Sequence, residues 1–357
     1  MTNYKLIDLQ LFAEAGNVVN TTTGTVNAYT GTKTTTTDMS AEMKTYYNTE
    51  VLENMRERMV YGQLGKRQSL PANHGKTIEW RKIDTLPDAD KLVEGVIPDG
   101  KKLKSTTITA VIDQYGLYVA ISDQLDMHAI DPIILHATEE VGYAASLTYE
   151  KLIRGVLMTN ANVLYADVID TNGAISSSPA TRNALVDATG GVAYLTPRMI
   201  NKAVTILKKA NAPTYSGNKY LAVIHPSVAE DLRNSDGWLE AHKYDAATPI
   251  FTGEIGELHG VRFIESNLAP IVKSKGTGST SKAVYLTMFF GRDAFGLIDP
   301  EGMGMETIIK DRSEIGGPLN QFSTVGAKFE MGSAVLYPER MLTLESLSSY
   351  SAIDDAN

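Results

Sequence analysis

The chain has 357 residues, a length that predicts two or three domains. Hydrophobic residues make up 43% of the sequence and charged residues 21%, a balance that excludes an intrinsically disordered protein. The formal net charge of -9 argues against a protein that mainly neutralises nucleic-acid phosphates. The absence of cysteine excludes disulfide scaffolds, cysteine-bound metals and thiol nucleophiles. No apolar run reaches about 18 residues, and we expect no membrane partner.

Residues 1–40 have a composition of their own. Ten of the seventeen residues from Thr21 to Thr37 are threonine, and few large apolar side chains accompany them. Such a segment cannot bury enough surface within its own chain to offset an ordering cost of roughly 1–2 kcal/mol per residue. We therefore expect either a disordered tail or an arm that lies across another surface.

A helical pattern follows between Met39 and Tyr61, where large side chains recur at steps of three and four residues. We expect Gly62 and Gly65 to end this helix, because glycine is unfavourable inside helices.

Two stretches, 77–81 and 107–112, alternate apolar and polar residues, which predicts the two strands of a long hairpin. The connector between them, 84–104, is polar. A connection of this length without structure of its own is uncommon inside a compact domain, and an isolated two-stranded ribbon is only marginally stable in water. We therefore expect either an extended arm that a neighbouring surface stabilises or a disordered surface loop.

The longest helical pattern begins at Asp131-Pro132 and runs to about Met158, which predicts a spine helix against which other elements pack. A turn-rich stretch and a compact α/β section follow, and the last third is rich in strands. Ser227 and Glu230 form the pattern of a capping box at the start of a short helix. The other predicted elements are a helix from Thr196 to Lys209, strands 220–224 and 260–266, a flexible linker 273–282, and strands 283–290, 325–331 and 341–347.

Searches for catalytic motifs find only incomplete patterns. Gly75-Lys76-Thr77 resembles the second half of a phosphate-binding loop, but Leu70 occupies the position where that motif needs glycine. No nucleophile elbow, zinc-protease helix or dinucleotide-binding motif is present. His225 precedes a proline at the end of a predicted strand, and we interpret it as a structural turn residue.

Asp123, Asp126 and His128 form the one carboxylate and imidazole grouping that suggests a metal. These residues lie at the turn into the spine helix, where acidic side chains are expected as caps. Glu139 and Glu140 are most simply explained as part of a solvated helix face. We therefore predict no catalytic residue, no metal site and no cofactor.

The densest basic patch consists of Lys101, Lys102 and Lys104, at the end of the hairpin connector. These charges would suit an acidic patch on another copy of this acidic chain. The alternative is a loop whose lysines only keep the protein soluble. With Trp80 and Arg81 of the first hairpin strand, the three lysines are our candidate contacts between subunits.

Three sequence features are similar to a known family. They are Leu9-Gln10-Leu11-Phe12-Ala13, the run from Tyr220 to Val228 with Asp231-Leu232-Arg233, and Gly253-Glu254-Ile255-Gly256 leading into 260–266. Together with the order of predicted elements, they resemble the major capsid protein of tailed bacteriophages, in particular its N-four-type subfamily. The resemblance implies an α+β fold with an N-terminal arm, an extended E-loop hairpin, a long spine helix, and peripheral and axial domains.

The segments that this resemblance implies can be placed on the sequence. They are an N-terminal arm (1–40), a helix leading into the peripheral domain (41–69), the E-loop hairpin (70–122), the spine helix and peripheral domain (123–190), the axial domain (191–320) and strands returning to the peripheral domain (321–357).

The function implied is structural rather than enzymatic. A capsid protein of this kind assembles with itself into hexamers and pentamers, which form an icosahedral head around double-stranded DNA without binding it specifically. Scaffolding and portal proteins would be further partners, and the protein would be located in the virion after assembly in the host bacterial cytoplasm. The alternatives left open are another virion component, such as a tail or decoration protein, and an α/β enzyme with a scattered active site.

Overall fold

The computed structural model describes residues 18–21, 24–27, 33–34, 59–71, 75–83, 86–89, 91, 100–129, 132–215, 217–235, 254–278, 281–300, 305–315 and 319–357. Most of the predicted N-terminal arm and most of the predicted helix between Met39 and Tyr61 therefore lie outside the described residues. Of that helix, the structure describes Met59, Val60 and Tyr61.

Helices and strands are both well represented, in agreement with the predicted α+β class. The helices are α1 (Tyr61–Leu64), α2 (Asp123–His128), α3 (Ile133–Leu157), α4 (Arg182–Val186), α5 (Pro197–Lys209) and α6 (Pro226–Arg233). The strands up to α5 are β1 (Val18–Thr21), β2 (Gly24–Asn27), β3 (Lys33–Thr34), β4 (Lys66–Leu70), β5 (Thr77–Ile83), β6 (Ser105–Val111), β7 (Asp113–Ser122), β8 (Val163–Tyr165), β9 (Val168–Ile169) and β10 (Ile175–Ser177).

The remaining strands fill the last third, as the sequence predicts. They are β11 (Tyr220–Ile224), β12 (Glu254–Leu258), β13 (Val261–Glu265), β14 (Ile271–Ser274), β15 (Lys282–Phe290), β16 (Phe295–Pro300), β17 (Glu306–Lys310), β18 (Phe322–Val335) and β19 (Met341–Ser346). A 3-10 turn, Pro338–Arg340, precedes β19.

The chain divides into two compact units. Unit 1 comprises Met1–Arg56, Asp113–Thr148 and Pro300–Met331, and unit 2 comprises Glu57–Ile112, Tyr149–Asp299 and Gly332–Asn357. These limits differ from those of the predicted segments 70–122, 191–320 and 321–357, each of which is divided between the units. The reason is strand pairing, because β7 and the first ten residues of β18 pair with each other in unit 1.

The sheet of unit 1 is built around that pairing. Its strand order is β3-β2-β1-β7-β18, and β17 pairs with the opposite edge of β18. The predicted alternation along β18 is confirmed, because Val325, Ala327, Phe329 and Met331 are buried. The Phe329 ring stacks on Tyr115 of the neighbouring strand at a centroid distance of 5.6 Å. Cross-strand aromatic pairs of this kind are the units that stabilise a sheet.

The predicted spine helix is confirmed as α3. It has 25 residues and spans roughly 38 Å at 1.5 Å per residue. Asp131 and the residue before it lie outside the described part, so the start of the helix is seen from Pro132 onward.

Unit 2 contains the α/β section, which we call the α/β lobe. Its sheet has the order β12-β13-β11-β15-β19-β8, with β14 also paired to β15. Eight of the nine residues of β15 are buried, as its continuous apolar run predicts. Helices α5 and α6 contribute Ile200, Leu207 and Leu232 to the same apolar cluster as Phe263 and Phe289 of the sheet. Each fully buried side chain of this size stabilises the fold by about 1.5–3 kcal/mol.

The start of α5 follows its sequence signals, but the start of α6 does not. Thr196 is the N-cap of α5 and Pro197 is its first residue, where the missing N–H and fixed φ of proline are favourable. In α6 the predicted capping box of Ser227 and Glu230 is wrong. The helix begins at Pro226, and the N-cap is His225, whose Nδ1 accepts a hydrogen bond from the Ser227 N–H at 3.2 Å.

Two further expectations need correction. The predicted flexible linker 273–282 begins and ends inside a hairpin, because β14 pairs with β15 through Lys273 and Ala283 and through Ser274 and Lys282. Gly62 does not end a helix but lies within the single turn of α1, where a Cβ would come within 3.1 Å of Glu150 Oε1. Both Glu150 oxygens accept hydrogen bonds from the start of this turn, at 2.8 Å.

Candidate assembly interface

The two predicted hairpin strands are confirmed as β5 and β6. They pair antiparallel from Thr77 and Val111 at one end to Ile83 and Ser105 at the other, and they form a separate two-stranded sheet. Seven residues of strand span roughly 23 Å. Such a ribbon needs packing on at least one face for stability in water.

One face of the hairpin packs against other residues of unit 2, to which the hairpin itself belongs. Ile78 is buried and forms an apolar cluster with Ile298 of β16, and Trp80 packs at its edge. The Trp80 indole Nε1 donates a hydrogen bond to Gln68 Oε1 at 2.9 Å. A Cβ at Gly296 would lie only 3.0 Å from the Trp80 ring, so glycine at this position permits the close approach of the indole. Trp80 thus anchors the hairpin within its own chain.

The opposite face of the hairpin is exposed. Glu79 and Arg81 project from β5 on this side, and their partners across the ribbon are Thr109 and Thr107. Val111, at the end of β6, is 59% exposed. The charged and hydroxyl side chains make this face compatible with water, and Arg81 remains available for contact with another molecule.

The outer end of the hairpin combines positive charge with apolar side chains. Lys101, Lys102 and Lys104 are exposed, and their role as contacts between subunits stays a prediction. Leu103 between them is 72% exposed, and Ile83 at the end of β5 is 69% exposed. Leucine and isoleucine this exposed are common singly, but two of them beside three lysines form a surface typical of a docking contact.

A charge pattern that the sequence interpretation missed lies directly after the hairpin. Residues 100–112 contain three lysines and no acidic residue, whereas 113–148 contain six acidic residues and no lysine or arginine. Glu139 and Glu140 of α3 are exposed, and Leu135, one helical turn before Glu139, is 55% exposed. A count of charges in each segment of the sequence would have found the acidic segment 113–148. Its negative charge is complementary to the positive charge at the outer end of the hairpin.

The hairpin also carries an ion pair on the side that faces the rest of unit 2. Lys82 Nζ lies 2.6 Å from Glu339 Oε1. This hydrogen bond with the ammonium group holds the pKa of the Glu339 carboxyl below its usual value. Nothing in the local sequence predicts the contact, because the two residues are 257 positions apart.

The groupings considered for metal or catalytic chemistry have structural contacts. Asp126 pairs with Arg312 at 2.6 Å, and His128 lies in the last turn of α2. Over the described residues, no group of three histidine, cysteine or acidic side chains is placed to hold a metal ion. Within the same residues, no helix has the length and apolar character needed to cross a membrane.

Comparison with known proteins connects these features to one family. A family model described as phage capsid protein matches residues 105–336, which is well over half of the chain. No curated protein matches the sequence. The match begins at the second strand of the hairpin and includes α3 and most of the α/β lobe.

Solved structures share the fold at low sequence identity. The capsid structure of cyanophage P-SCSP1u covers 98% of this chain and 100% of its own, with a TM-score of 0.64 and 16% identity. The capsid of Ralstonia phage GP4 covers 88% and 97%, with a TM-score of 0.61 and 15% identity. The acidic stable capsid of Helicobacter pylori bacteriophage KHP30 covers 87% and 97%, with a TM-score of 0.61 and 12% identity.

The hairpin, the long helix and the α/β lobe therefore define a phage capsid fold. The chain belongs to the phage capsid protein family. Family and fold together support its function as a major capsid protein, a structural component of the virion. The N-four-type subfamily and the assignment of peripheral and axial domains stay predictions.

Proposed function

We propose that this protein is the repeating subunit of an icosahedral phage head that encloses double-stranded DNA. In this proposal it assembles into hexamers and pentamers, and the hairpin of each subunit reaches a neighbouring copy. The observation that carries the proposal is the hairpin itself, a two-stranded ribbon with one anchored face and an exposed outer end, in a chain of the phage capsid protein family. Its role is structural, with no reaction or cofactor assigned.

The partner surface that we propose is the acidic segment 113–148 of the neighbouring subunit. Lys101, Lys102 and Lys104 supply the positive charge and Leu103 the apolar contact. Complementary charge at an interface mainly sets specificity, register and association rate. The exposed Arg81 lies on the outward face of the hairpin and would add to the same attraction.

Further partners follow from the same proposal. Scaffolding and portal proteins would guide assembly in the bacterial cytoplasm, and the threonine-rich segment 1–40 would act as an arm between subunits. The overall charge of -9 suits a shell that encloses DNA without binding it tightly, because a negative protein repels the negative DNA phosphates.

Deletion of the connector tests the proposal. We expect a variant in which a short glycine turn replaces 84–104 to keep the far-UV circular dichroism of the α/β lobe and to form no shells by electron microscopy. The reason is that the deleted residues carry the proposed contact but none of the described buried side chains. Normal particles from this variant would contradict the role of the hairpin.

Charge exchange tests the partner surface. Changing Lys101, Lys102 and Lys104 to glutamate should abolish assembly, and adding Glu139→Lys with Glu140→Lys should restore part of it. A matched control neutralises Lys208 and Lys209, two exposed lysines of α5, and should assemble normally. If the lysine variant assembles as well as the control, the acidic segment is not the partner.

A further inference from the structure

The hairpin is attached to the rest of unit 2 by two kinds of contact that follow one another along β5. Near its base, Ile78 and Trp80 pack in an apolar cluster. Lys82, two residues further out, is the last residue of β5 that is partly buried, because Ile83 is 69% exposed. The described residues of the connector are also exposed. Lys82 therefore lies where the hairpin leaves the surface of its own subunit.

The contacts of Lys82 are electrostatic. Its Nζ pairs with Glu339 at 2.6 Å and lies 5.1 Å from the centroid of the Tyr337 ring. The guanidinium carbon of Arg340 lies 3.7 Å from the centroid of that ring. Two cations thus lie near one aromatic ring, and the Glu339 carboxylate, which pairs with Lys82, compensates one of their two charges.

The partners of Lys82 are firmly attached to the α/β lobe. Glu339 and Arg340 belong to the 3-10 turn that leads directly into β19, and β19 pairs with β15 and β8 inside the sheet. Arg340 Nη1 also donates to the Arg292 carbonyl at 3.3 Å. The acceptor side of the Lys82 contact is therefore held by the lobe, while the Lys82 side belongs to the hairpin.

The two kinds of contact respond differently to the solvent. Ion pairs and cation–π contacts between partly exposed groups weaken as salt screens them, and the Lys82 and Glu339 side chains are 27% and 51% exposed. Apolar packing like that of Ile78 is not weakened by screening. A rise in ionic strength therefore acts on the outer attachment and leaves the inner one in place.

We propose that Lys82, Tyr337, Glu339 and Arg340 form an electrostatic clasp that fixes the direction of the hairpin and opens at high ionic strength while the apolar base stays packed. The clasp lies within one subunit, so this inference does not depend on the shell function. If the clasp opens in this way, the direction of the hairpin in the unassembled protein depends on the salt concentration.

Spin labels can measure the opening directly, because the chain has no cysteine of its own. Ser105→Cys at the outer end of β6 and Lys209→Cys in α5 place two labels within unit 2. Pulsed electron resonance on the unassembled 357-residue chain then gives the distribution of distances between them. Measurements at about 0.1 M and about 1 M salt change the screening length from about 10 Å to about 3 Å.

We expect a narrow distribution at low salt that broadens at high salt, with up to about a fivefold rise in the open fraction, as for loss of one surface ion pair. Glu339→Gln should give the broad distribution at both salt concentrations. The matched control is Glu257→Gln, which removes one partner of a comparable ion pair with Lys219 elsewhere in the lobe, and it should behave like the parent. Equal broadening in both variants, or in neither, would overturn the proposal.

Fluorescence of Trp80 separates opening of the clasp from unfolding of the hairpin. Trp238→Phe leaves Trp80 as the single tryptophan of the chain. The emission of Trp80 should stay constant between the two salt concentrations, because the indole remains packed beside Gly296. A shift of its emission to that of exposed tryptophan, in step with the distance change, would contradict the separate behaviour of base and clasp.

Discussion

The α/β lobe and the β5/β6 hairpin are both in unit 2, yet they are held together in different ways. In the lobe, β15 has paired strands on both sides, and Phe289 near its end is completely buried. In the hairpin, each strand has a single partner among the described residues, and only one face is packed. The lobe is therefore stabilised by contacts within the chain, whereas the outer part of the hairpin exposes a surface that another molecule can contact.

Their ion pairs show the same contrast. In the lobe, Arg182 binds the buried Glu345 through two hydrogen bonds, at 2.8 and 2.5 Å. The hairpin pair of Lys82 and Glu339 is partly exposed to solvent. An exposed pair contributes at most about 1 kcal/mol, whereas loss of one partner from a buried pair is strongly destabilising. Charge therefore helps to specify the fold of the lobe, but in the hairpin it can be varied at little cost in stability.

The largest predicted effect separates the two regions directly. Phe289→Ala should lower the free energy of unfolding by about 3–5 kcal/mol, because it leaves a cavity in the centre of the sheet. The lost ring also makes an edge-to-face contact with Phe263 at 6.3 Å. Chemical denaturation followed by circular dichroism measures the change.

The matched hairpin variant is Leu103→Ala. Because Leu103 is 72% exposed, we expect the free energy of unfolding to change by less than about 0.5 kcal/mol, while shell yield falls. Similar shifts of the denaturation midpoint in Phe289→Ala and Leu103→Ala would mean that the hairpin and the lobe are equally important for folding.

A smaller effect is expected from the buried ion pair of the lobe. Arg182→Met leaves the Glu345 carboxylate, 1% exposed, without its charged partner. We expect a loss of about 2 kcal/mol, below the usual cost for a fully buried pair because Arg182 is 37% exposed. Thermal and chemical denaturation of the variant give the value.

The double variant Arg182→Met with Glu345→Leu tests whether the unpaired Glu345 charge causes the loss of stability. Without a buried charge it should recover much of the lost stability. If the double variant is as unstable as the sum of the two single variants, the pair contributes through packing rather than through charge.

Elements that depend on local pattern could be predicted from the sequence. The alternation in β5, β6 and β18 gave the correct strands, and the long apolar stripe gave α3 within two residues of its observed ends. Thr196 and Pro197 marked the start of α5, since capping is decided by neighbouring residues. For the candidate interface, the sequence indicates the three lysines by their density of positive charge, and their contact with another subunit stays a prediction.

Features that depend on distant partners could not be predicted. The pairing of β7 with β18 joins residues about 200 positions apart, so the division of the chain into two units does not follow the order of the predicted segments. The sequence indicates Trp80 only as a candidate contact between subunits. Its contacts with Gln68 and Gly296 become apparent only in the structure. The composition of the linker 273–282 indicates flexibility, but both of its ends are paired as strands. In addition, the Thr277 N–H donates a hydrogen bond to the Asp187 carboxylate.

The last predicted effect concerns pH and again distinguishes the two regions. His225 caps α6 only while its Nδ1 is unprotonated, because that atom accepts the Ser227 N–H. Burial lowers the pKa of His225, and the nearby Asp354 carboxylate opposes this only in part. The unfolded chain therefore binds the proton more readily than the folded one. The stabilising contribution is complete above the unfolded pKa of about 6.5 and is lost as the pH falls from there to the folded pKa.

The loss should amount to about 1 kcal/mol, the usual contribution of an N-cap. His225→Asn provides the control, because asparagine caps helices well and does not titrate in this range. The wild-type lobe should become easier to denature as the pH falls below about 6.5, whereas the variant should not change. The hairpin strands and connector, 75–112, contain no histidine, so hydrogen exchange in the hairpin, corrected for its intrinsic pH dependence, should stay constant over the same range. If the hairpin loses protection together with the lobe, the two regions unfold as one cooperative unit.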